Sequence, residues 1–375
     1  MTLSKIQTVD NQVIPNLGRR NLLDNGAMNI SQRGTSLSMA HDNVSNAFLL
    51  DRFQFYMAGG FDELDGTSAQ VADDPLGGAG KAFKWTTGTA ESAIAADEYI
   101  YFTQKIEAQN LQHIQNGNSN AKPLTLSFYV KSSITGTFSV GLFKPDNTAR
   151  QHNKTYTINS ANTWEKKTVT FVGDTSGGGI DNDNGQGLWV SWNLAAGSDF
   201  KGGGSTSGWV NYSNAMWADG LATDAVVTTA GATWLMTQCQ LEVGSVATDF
   251  EHRSFTEELM LCKRYFSKVG PFNTTDYPTG IVGYTYSNTT SALAHKLSVP
   301  MRIDNPALSM PEGFMNIRMS DSSTTASGIS GLNTVNGAKS DSMLIDVTHP
   351  SRTTGTLCIL TNAGPSHTFR FDAEL

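Results

Sequence analysis

The sequence predicts a mainly β protein: an antiparallel, jelly-roll-like β-sandwich, then a short helix, then a second and smaller β-domain. Three observations predict this fold class. Apolar and polar residues alternate with a period of two in many short segments. Charged residues make up only 16% of the 375 residues, against about 25% in an average soluble domain. The 36 glycines are typical of many short strands joined by turns.

Residues 1–20 are predicted to form an extended arm that docks onto another protein. This segment is polar, contains Pro15 and Gly18, and lacks the alternation of a strand. Its apolar side chains are irregularly spaced, so each can enter a separate pocket on a partner. These docking candidates are Leu3, Ile6, Val9, Val13, Ile14 and Leu17.

Residues 21–253 are predicted to form the β-sandwich, because strand-like segments recur there between turn clusters. The strand candidates are Asp51–Met57, Ala82–Thr86, Glu98–Ile106, Leu124–Val130, Phe138–Leu142, Thr168–Val172, Leu188–Leu194 and Trp234–Val243. Two glycine-rich insertions, Gly173–Gly187 and Gly197–Gly231, interrupt this pattern. Their composition predicts loops that lie on the sandwich without cores of their own.

Residues 254–268 are predicted to form a helix that connects the two domains. Ser254 and Glu257 have the spacing of a capping box. An apolar stripe follows at helical spacing, and it consists of Phe255, Leu259, Cys262 and Phe266. Alternation then returns, and it predicts a second β-domain over residues 269–375.

The composition and motifs argue against several classes of function. The net charge of −8 is unsuited to tracking a phosphate backbone, so we expect no nucleic-acid ligand. No apolar run approaches a membrane span, and residues 1–10 do not resemble a signal peptide. No phosphate-binding, dinucleotide-binding or serine-nucleophile motif occurs. We therefore expect no cofactor, no membrane insertion and no enzymatic activity.

Acidic residues supply one metal candidate. The run Asp181-Asn-Asp-Asn-Gly185 resembles the start of a calcium loop, but Gly185 and Trp192 stand where an EF-hand needs oxygen ligands. Asp181 and Asp183 remain candidates for a looser calcium loop, with an ordinary turn as the alternative. The adjacent carboxylate pairs fit turns or helix caps, because sequence adjacency does not create the separation across a cleft that glycosidases need.

The aromatic residues suggest a carbohydrate site. Trp189 points away from the apolar face of its own strand, and Trp209, Tyr212 and Trp217 lie in the second insertion among Gly, Ser and Asn. Exposed rings and neighbouring amides are groups that hold sugars. The alternative is that these rings fasten the insertion to the sandwich or to a neighbouring subunit.

Three segments resemble bacteriophage tail-fibre and virion appendage proteins that carry a β-sandwich like that of carbohydrate-binding modules. They are Asn21-Leu-Leu-Asp-Asn-Gly-Ala-Met-Asn-Ile-Ser-Gln-Arg-Gly-Thr35, Asp51-Arg-Phe53, and the run from Gln240 to Phe266. Val299-Pro-Met-Arg302 and Asp372-Ala-Glu-Leu375 resemble the small β-domain that often follows. The resemblance implies a virion structural or host-binding role and a trimer, and it assigns no binding residues.

We therefore expect a non-enzymatic virion protein: a tail fibre, or a head-fibre or decoration subunit. It would be made in the host cytoplasm, released without a signal peptide, and would contact host glycans. A homotrimer would be held in part by Leu261 and Tyr265, which lie off the apolar stripe of the helix. The alternatives are a polysaccharide depolymerase and a free carbohydrate-binding module.

Overall fold

The fold was analysed in a computed structural model. It describes residues 19–41, 47–77, 80–270, 278–304, 306–309, 316–319, 323–325, 328–332, 341–349, 351, 354–361 and 368–375. The docking candidates of the arm, from Leu3 to Leu17, lie outside these residues. The chain divides into two compact units. Unit 1 comprises the described residues of Met1–Asn29, Ser36–Ala47 and Gln54–Arg253, and unit 2 those of Ile30–Thr35, Phe48–Phe53 and Ser254–Leu375.

Two antiparallel sheets form the β-sandwich of unit 1. Its strands are β1 (Ser36–Ala40), β2 (Ala47–Phe48), β3 (Phe53–Ala58), β4 (Asp65–Ala72), β5 (Lys81–Thr87), β6 (Tyr99–Glu107), β7 (Leu124–Ser132), β8 (Gly136–Lys144), β9 (Arg150–Ile158), β10 (Glu165–Phe171), β11 (Gln186–Ala196), β12 (Val210–Asn211) and β13 (Thr233–Val243). The first sheet has the order β1-β4-β5-β13-β7-β10, and the second has the order β12-β9-β8-β11-β6-β3-β2. The predicted mainly β, antiparallel sandwich fold is confirmed.

Aromatic rings from both sheets fill the core between them. Phe83 of the first sheet stacks on Phe102 of the second, with ring centroids 4.1 Å apart. Phe128 and Trp192 meet edge to face at 5.7 Å. The predicted inward faces of β7, β8 and β11 are buried. Such rings bury a large apolar area, which stabilises the sandwich.

The second glycine-rich insertion is more compact than its composition predicts. It contains two 3-10 helices, Ser198–Phe200 and Asn214–Met216, the strand β12, and a short helix α1 (Ala225–Thr228). Several of its apolar side chains are buried, namely Phe200, Trp217, Ala218, Leu221, Val226 and Val227. The prediction of loops alone is therefore incomplete, because the segment contains short helices and a strand and buries several of its apolar side chains.

Unit 2 contains a helix and two further antiparallel sheets. Its elements are α2 (Phe255–Lys263), β14 (Phe266–Val269), β15 (Pro278–Thr285), β16 (Thr290–Lys296), β17 (Ala307–Ser309), β18 (Asn316–Met319), β19 (Ser323–Thr325), β20 (Gly328–Leu332), β21 (Ser342–Thr348), β22 (Leu357–Thr361) and β23 (Phe369–Asp372). The sheets have the orders β14-β23-β17 and β19-β18-β22-β15-β16-β21-β20. Leu293, Ile345, Phe369 and Phe371 lie in their shared core.

The helix α2 is capped as predicted but is shorter than predicted. The Ser254 hydroxyl accepts a hydrogen bond from the Glu257 N–H at 3.2 Å. The helix ends at Lys263, and Phe266–Val269 instead pairs with β23. The extension to residue 268 is wrong, because sheet pairing satisfies the backbone there. Phe255 of the predicted stripe is 61% exposed, whereas Cys262 is buried.

None of the helices in the described part of the chain has the length and apolar character needed to span a membrane.

Candidate functional site

A cleft of about 260 Å³ opens on unit 1. It lies on the face of the second sheet that points away from the core. Strands β3, β6, β8 and β11 form its base, and the second insertion forms one side. Its lining residues are Gln54, Tyr56, Tyr99, Tyr101, Lys105, Phe143, Trp189, Tyr212, Asn214 and Trp217.

Three stacked tyrosines form one part of the cleft. The centroids of Tyr56 and Tyr101 are 5.0 Å apart with an interplanar angle of 16°, and those of Tyr99 and Tyr101 are 5.9 Å apart. Their position follows from the pleat of β6, where Tyr99 and Tyr101 alternate with the core residues Ile100 and Phe102. The sheet backbone therefore fixes this row of rings.

A second row crosses three neighbouring strands. Trp189 on β11 is directly opposite Phe143 on β8 and Lys105 on β6. The Phe143 and Trp189 rings meet edge to face at 5.2 Å, and the Lys105 ammonium nitrogen lies 4.3 Å from the Trp189 ring centre. The indole N–H of Trp189 donates to Gln186 Oε1 at 3.0 Å. These contacts hold the Trp189 side chain in one orientation.

The second insertion supplies the remaining groups. The Tyr212 hydroxyl donates to Asn214 Oδ1 at 3.1 Å, and the Tyr212 ring lies 4.8 Å from that of Phe143. Trp217 is 8% exposed and meets the rings of Trp189 and Tyr212 edge to face. Its ring lies 5.3 Å from that of Tyr101. Trp217 therefore contacts both rows of rings, through Tyr101 in the first row and Trp189 in the second.

Buried amides of the second sheet hold the backbone of this insertion. The Asn153 side-chain amide donates to the carbonyls of Met216 and Trp217, at 2.9 and 3.0 Å. Gln151 also donates to the Met216 carbonyl, at 2.8 Å. Asn193 is 1% exposed, although the alternation of β11 places it on the polar face. The polar face is buried here because the insertion covers it and uses its amides.

Burial keeps three phenols of the cleft, those of Tyr99, Tyr101 and Tyr212, in their neutral form. Burial raises the pKa of Tyr99 and of Tyr101 well above the usual tyrosine value, and the neighbouring phenols add to this effect. Burial also raises the pKa of Tyr212. Each hydroxyl therefore keeps its proton and can donate or accept a hydrogen bond.

The structure brings together three of the four predicted aromatic residues. Trp189, Tyr212 and Trp217 all line the cleft. Trp209 is not among the lining residues: its indole N–H donates to the Val172 carbonyl at 2.7 Å, and its ring packs against His152. Trp209 therefore fastens the insertion to the sandwich.

Sequence reasoning missed the residues that the sheet contributes to the cleft. These are Gln54, Tyr56, Tyr99, Tyr101, Lys105 and Phe143, and it also missed Asn214 of the second insertion. A signal for part of this set was present in β6, where Tyr99, Tyr101 and Lys105 fall on the face opposite the apolar residues. An outward row of aromatic residues on a central strand is unusual for a solvated face and indicates a binding surface.

The calcium candidates Asp181 and Asp183 lie in the turns of the first insertion. The Asp181 N–H donates to Asp146 at 3.1 Å, and Asp183 Oδ1 accepts from the Gly185 N–H at 2.8 Å. Across the described residues, no group of three or more His, Cys, Asp or Glu side chains is placed to hold a metal ion.

Comparison with known proteins gives structural similarity only. No family model matches the chain, and no curated protein sequence matches it. The enzymatically active domain of tailspike protein 4 of bacteriophage CBA120 matches 60% of this chain at 14% identity, with a TM-score of 0.31. The match covers 21% of the tailspike chain, so this chain spans about a fifth of its length.

Two carbohydrate-binding modules also match. A family 4 module matches 59% of this chain and 98% of its own, at 12% identity and a TM-score of 0.28. The family 11 module of a cellulosomal cellulase of Clostridium thermocellum matches 55% of this chain and 99% of its own, at 13% identity and a TM-score of 0.28. Identities of 12–14% and TM-scores near 0.3 carry no information about function. The function is therefore inferred from the residues of the cleft.

Proposed function

We propose that this protein is a non-enzymatic structural subunit of a phage virion, and that unit 1 binds a host-surface glycan in the aromatic cleft. The observation that carries the binding role is the arrangement of Tyr99, Tyr101, Trp189 and Tyr212 around one cleft. The virion role is supported by the sequence resemblance of the segments around Asn21–Thr35 and Gln240–Phe266 to phage appendage proteins.

The chemistry of the cleft suits a sugar. A pyranose ring presents C–H groups on its faces and hydroxyls around its edge. Aromatic rings supply apolar area for the faces, and the Asn214 amide with the neutral phenols supplies hydrogen bonds for the edge.

The supports of the cleft favour binding without a large rearrangement. Tyr99, Tyr101 and Trp189 stand on strands at the centre of the second sheet, and the amides of Gln151 and Asn153 hold the insertion in place. Groups that are already ordered lose less conformational entropy when a ligand binds. We therefore expect the cleft to have nearly the same shape with and without a glycan.

A glycan array followed by calorimetric titration tests the binding role in the full chain. Tyr212→Ala is expected to weaken binding by about 1–3 kcal/mol, because it removes an aromatic anchor. Trp164→Ala is the control, since Trp164 is a half-buried tryptophan of unit 1 that lies outside both the cleft and the second insertion. Equal binding by wild type and a folded Tyr212→Ala variant would contradict the proposal, as would an array without any bound glycan.

The proposed role is binding rather than cleavage. Incubation of the bound glycan with the protein is expected to release no new reducing ends. Their release would favour the depolymerase alternative.

Detection of the chain in purified virions, by labelled negative-stain images, would separate a virion subunit from a free carbohydrate-binding module.

The arm provides the proposed attachment to other virion proteins. Deletion of residues 1–18 is expected to leave the melting of the β-domains unchanged and to abolish incorporation into particles. Normal copy number of the truncated chain in virions would contradict this attachment.

We also propose a homotrimer, which light scattering at micromolar concentration tests through the particle mass. The prediction that Tyr265 contacts a neighbouring subunit is wrong, because Tyr265 is only 2% exposed and its ring is covered by the Arg52 guanidinium. A mass of one or two subunits would contradict the trimer.

A further inference from the structure

Within the described part of the chain, Gln54 is the one buried amide residue of the second sheet whose side chain makes no hydrogen bond. Gln54 is 4% exposed, and it lines the aromatic cleft. We infer that the Gln54 amide recognises two adjacent hydroxyl groups of one pyranose residue in the cleft. This inference rests on the proposed glycan-binding function and names the part of the glycan that is recognised.

The other buried amide side chains of the second sheet are paired. Gln104 exchanges two hydrogen bonds of 2.8 Å with the backbone of one residue. Gln151 and Asn153 donate to the backbone of the second insertion, at 2.8 and 2.9 Å, and Asn193 donates to a serine hydroxyl at 2.9 Å. Buried polar groups in proteins are normally hydrogen-bonded. The exception at Gln54 therefore indicates a group that a ligand pairs.

The alternation of β3 places Gln54 on the cleft side of the sheet. Phe55 points into the core, where its ring stacks on Trp85 at 4.7 Å. Gln54 and Tyr56 therefore share the opposite face, about 7 Å apart along the strand. The Tyr56 ring is itself stacked on Tyr101 at 5.0 Å. A sugar that is bound to the Gln54 amide therefore lies beside a fixed aromatic ring.

The Gln54 amide is open to the cleft, although the residue is buried. Its oxygen and nitrogen are not among the unpaired side-chain atoms that are fully enclosed. Because the rest of the side chain is covered, little water has to be removed when a ligand binds. A hydrogen bond made in such a poorly solvated place is stronger than one on an open surface.

The chemistry of an amide suits a pair of hydroxyl groups. The Gln54 Oε1 atom accepts a hydrogen bond, and its Nε2 atom donates. A sugar hydroxyl can do either, so two hydroxyls on neighbouring ring carbons can engage both ends of the amide. The Tyr56 ring supplies apolar area for the C–H groups of the same sugar.

The size of the cleft indicates a single sugar residue. Its volume of about 260 Å³ is below the range of about 300–1,000 Å³ that is usual for drug-sized ligands. One pyranose is therefore enclosed, and the rest of a bound glycan lies outside the cleft. Recognition then depends on the hydroxyls of that one residue.

The experiment compares sugars that differ in one hydroxyl. The full chain is titrated, by NMR spectroscopy, with the methyl glycosides of glucose, galactose, mannose and N-acetylglucosamine and with the deoxy forms of each. Wild type is expected to bind at least one parent glycoside. Loss of either of two adjacent hydroxyls is expected to weaken that binding roughly three- to tenfold, the contribution of one neutral hydrogen bond.

Gln54→Met removes the amide and keeps the length of the side chain. This variant is expected to bind the parent glycoside roughly tenfold more weakly than wild type, because both hydrogen bonds are lost. Removal of either sugar hydroxyl is then expected to cause no further loss, since its partner is already absent.

The melting temperature separates recognition from folding. Gln54→Met is expected to melt no lower than wild type, because it replaces an unpaired buried amide with an apolar group. Gln104→Met is the matched control, since it removes a paired amide outside the cleft and is expected to lower the melting temperature of unit 1. An equal loss of stability in both variants would mean that the Gln54 amide serves folding, and would overturn the inference.

The binding outcomes also separate this inference from the proposed function. Unchanged affinity of Gln54→Met, or equal sensitivity of wild type and variant to each hydroxyl, would overturn the role of Gln54 and leave glycan binding standing. Binding of array glycans without binding of any methyl glycoside would overturn the recognition of one residue. Absence of binding to every glycan would overturn both the inference and the proposed function.

Discussion

The Arg52 guanidinium lies over the Tyr265 ring, 3.3 Å from its centre, and its Nη1 donates to Glu374 Oε2 at 2.5 Å. Arg33 repeats this arrangement nearby: it lies over Phe266 at 3.6 Å and pairs with Asp372 at 2.9 Å. We refer to these six residues as the arginine cluster of unit 2. It joins two N-terminal arginines to the start and end of the C-terminal β-domain.

Arg52→Ala is expected to destabilise unit 2 by about 3–5 kcal/mol, the usual result of removing one partner of a buried ion pair. Arg52 is 2% exposed, and the Glu374 side chain is 5% exposed, so the carboxylate that remains is poorly solvated. Calorimetry of the full chain measures the effect. All seven tryptophans belong to unit 1, so the transition of unit 2 is the one that tryptophan fluorescence does not follow.

Arg52→Gly is the control for the backbone at this position. Arg52 has a φ of +72°, in the left-handed region that costs a non-glycine residue about 1–2 kcal/mol. Glycine removes the same side chain but adopts this conformation freely. The glycine variant is expected to be less destabilised than the alanine variant, and a more stable alanine variant would contradict the assigned strain.

The sequence alone could not predict the arginine cluster. Arg33 and Arg52 lie in segments that resemble phage appendage proteins, but their partners in the cluster lie more than 200 residues away along the chain. Alternation and capping are local signals, so they predicted eight strands of the sandwich and the Ser254 cap, but not β1, β2, β4, β9 or β12. They could not predict that Ile30–Thr35 and Phe48–Phe53 group with the C-terminal β-domain.

The cleft could be predicted in part for the same reason. Composition indicated that Tyr212 and Trp217 of the insertion, and Trp189 of β11, belong to a sugar site. Composition could not show that Trp209 lies outside the cleft. The position of Trp209 depends on the fold of the insertion, whose backbone is held by Gln151 and Asn153. The end of helix α2 was also missed, since the pairing of Phe266–Val269 with β23 is a contact across about 100 residues.

Truncation of the two tryptophans of β11 is expected to reduce stability by different amounts, because the two side chains lie on opposite faces of the second sheet. Trp192 is fully buried between the sheets, and Trp192→Ala is expected to cost about 3–5 kcal/mol of stability. Trp189 is partly exposed in the cleft, and Trp189→Ala is expected to cost about 1 kcal/mol and to weaken glycan binding. Urea unfolding, followed by the fluorescence of the remaining tryptophans, measures the stability of both variants, and titration with the glycan measures binding by the Trp189→Ala variant. Similar destabilisation by the two substitutions would contradict the assigned faces.

Asp51 is expected to make the stability of unit 2 depend on pH. Its side chain is fully buried, and this burial raises its pKa to about 6, against the opposing effects of Arg33 and Gln32. A carboxyl with a raised pKa in the folded state favours folding when it is protonated. Its contribution is therefore fully present below the unfolded pKa, about 4, and is lost as the pH rises through about 6.

Asp51→Asn isolates this contribution, because it removes the titrating carboxyl and leaves the six residues of the arginine cluster unchanged. The stability of wild type relative to the variant is expected to fall by about 2–2.5 kcal/mol between pH 4 and pH 7, most of the full value of a shift of about two pKa units. Calorimetry of unit 2 at pH 4, 5, 6 and 7 provides the comparison. The steepest change is expected near pH 5, midway between the unfolded and the folded pKa, because the numbers of protons bound by the two states differ most there. A constant stability difference across this range would mean that Asp51 keeps an ordinary pKa in the folded protein.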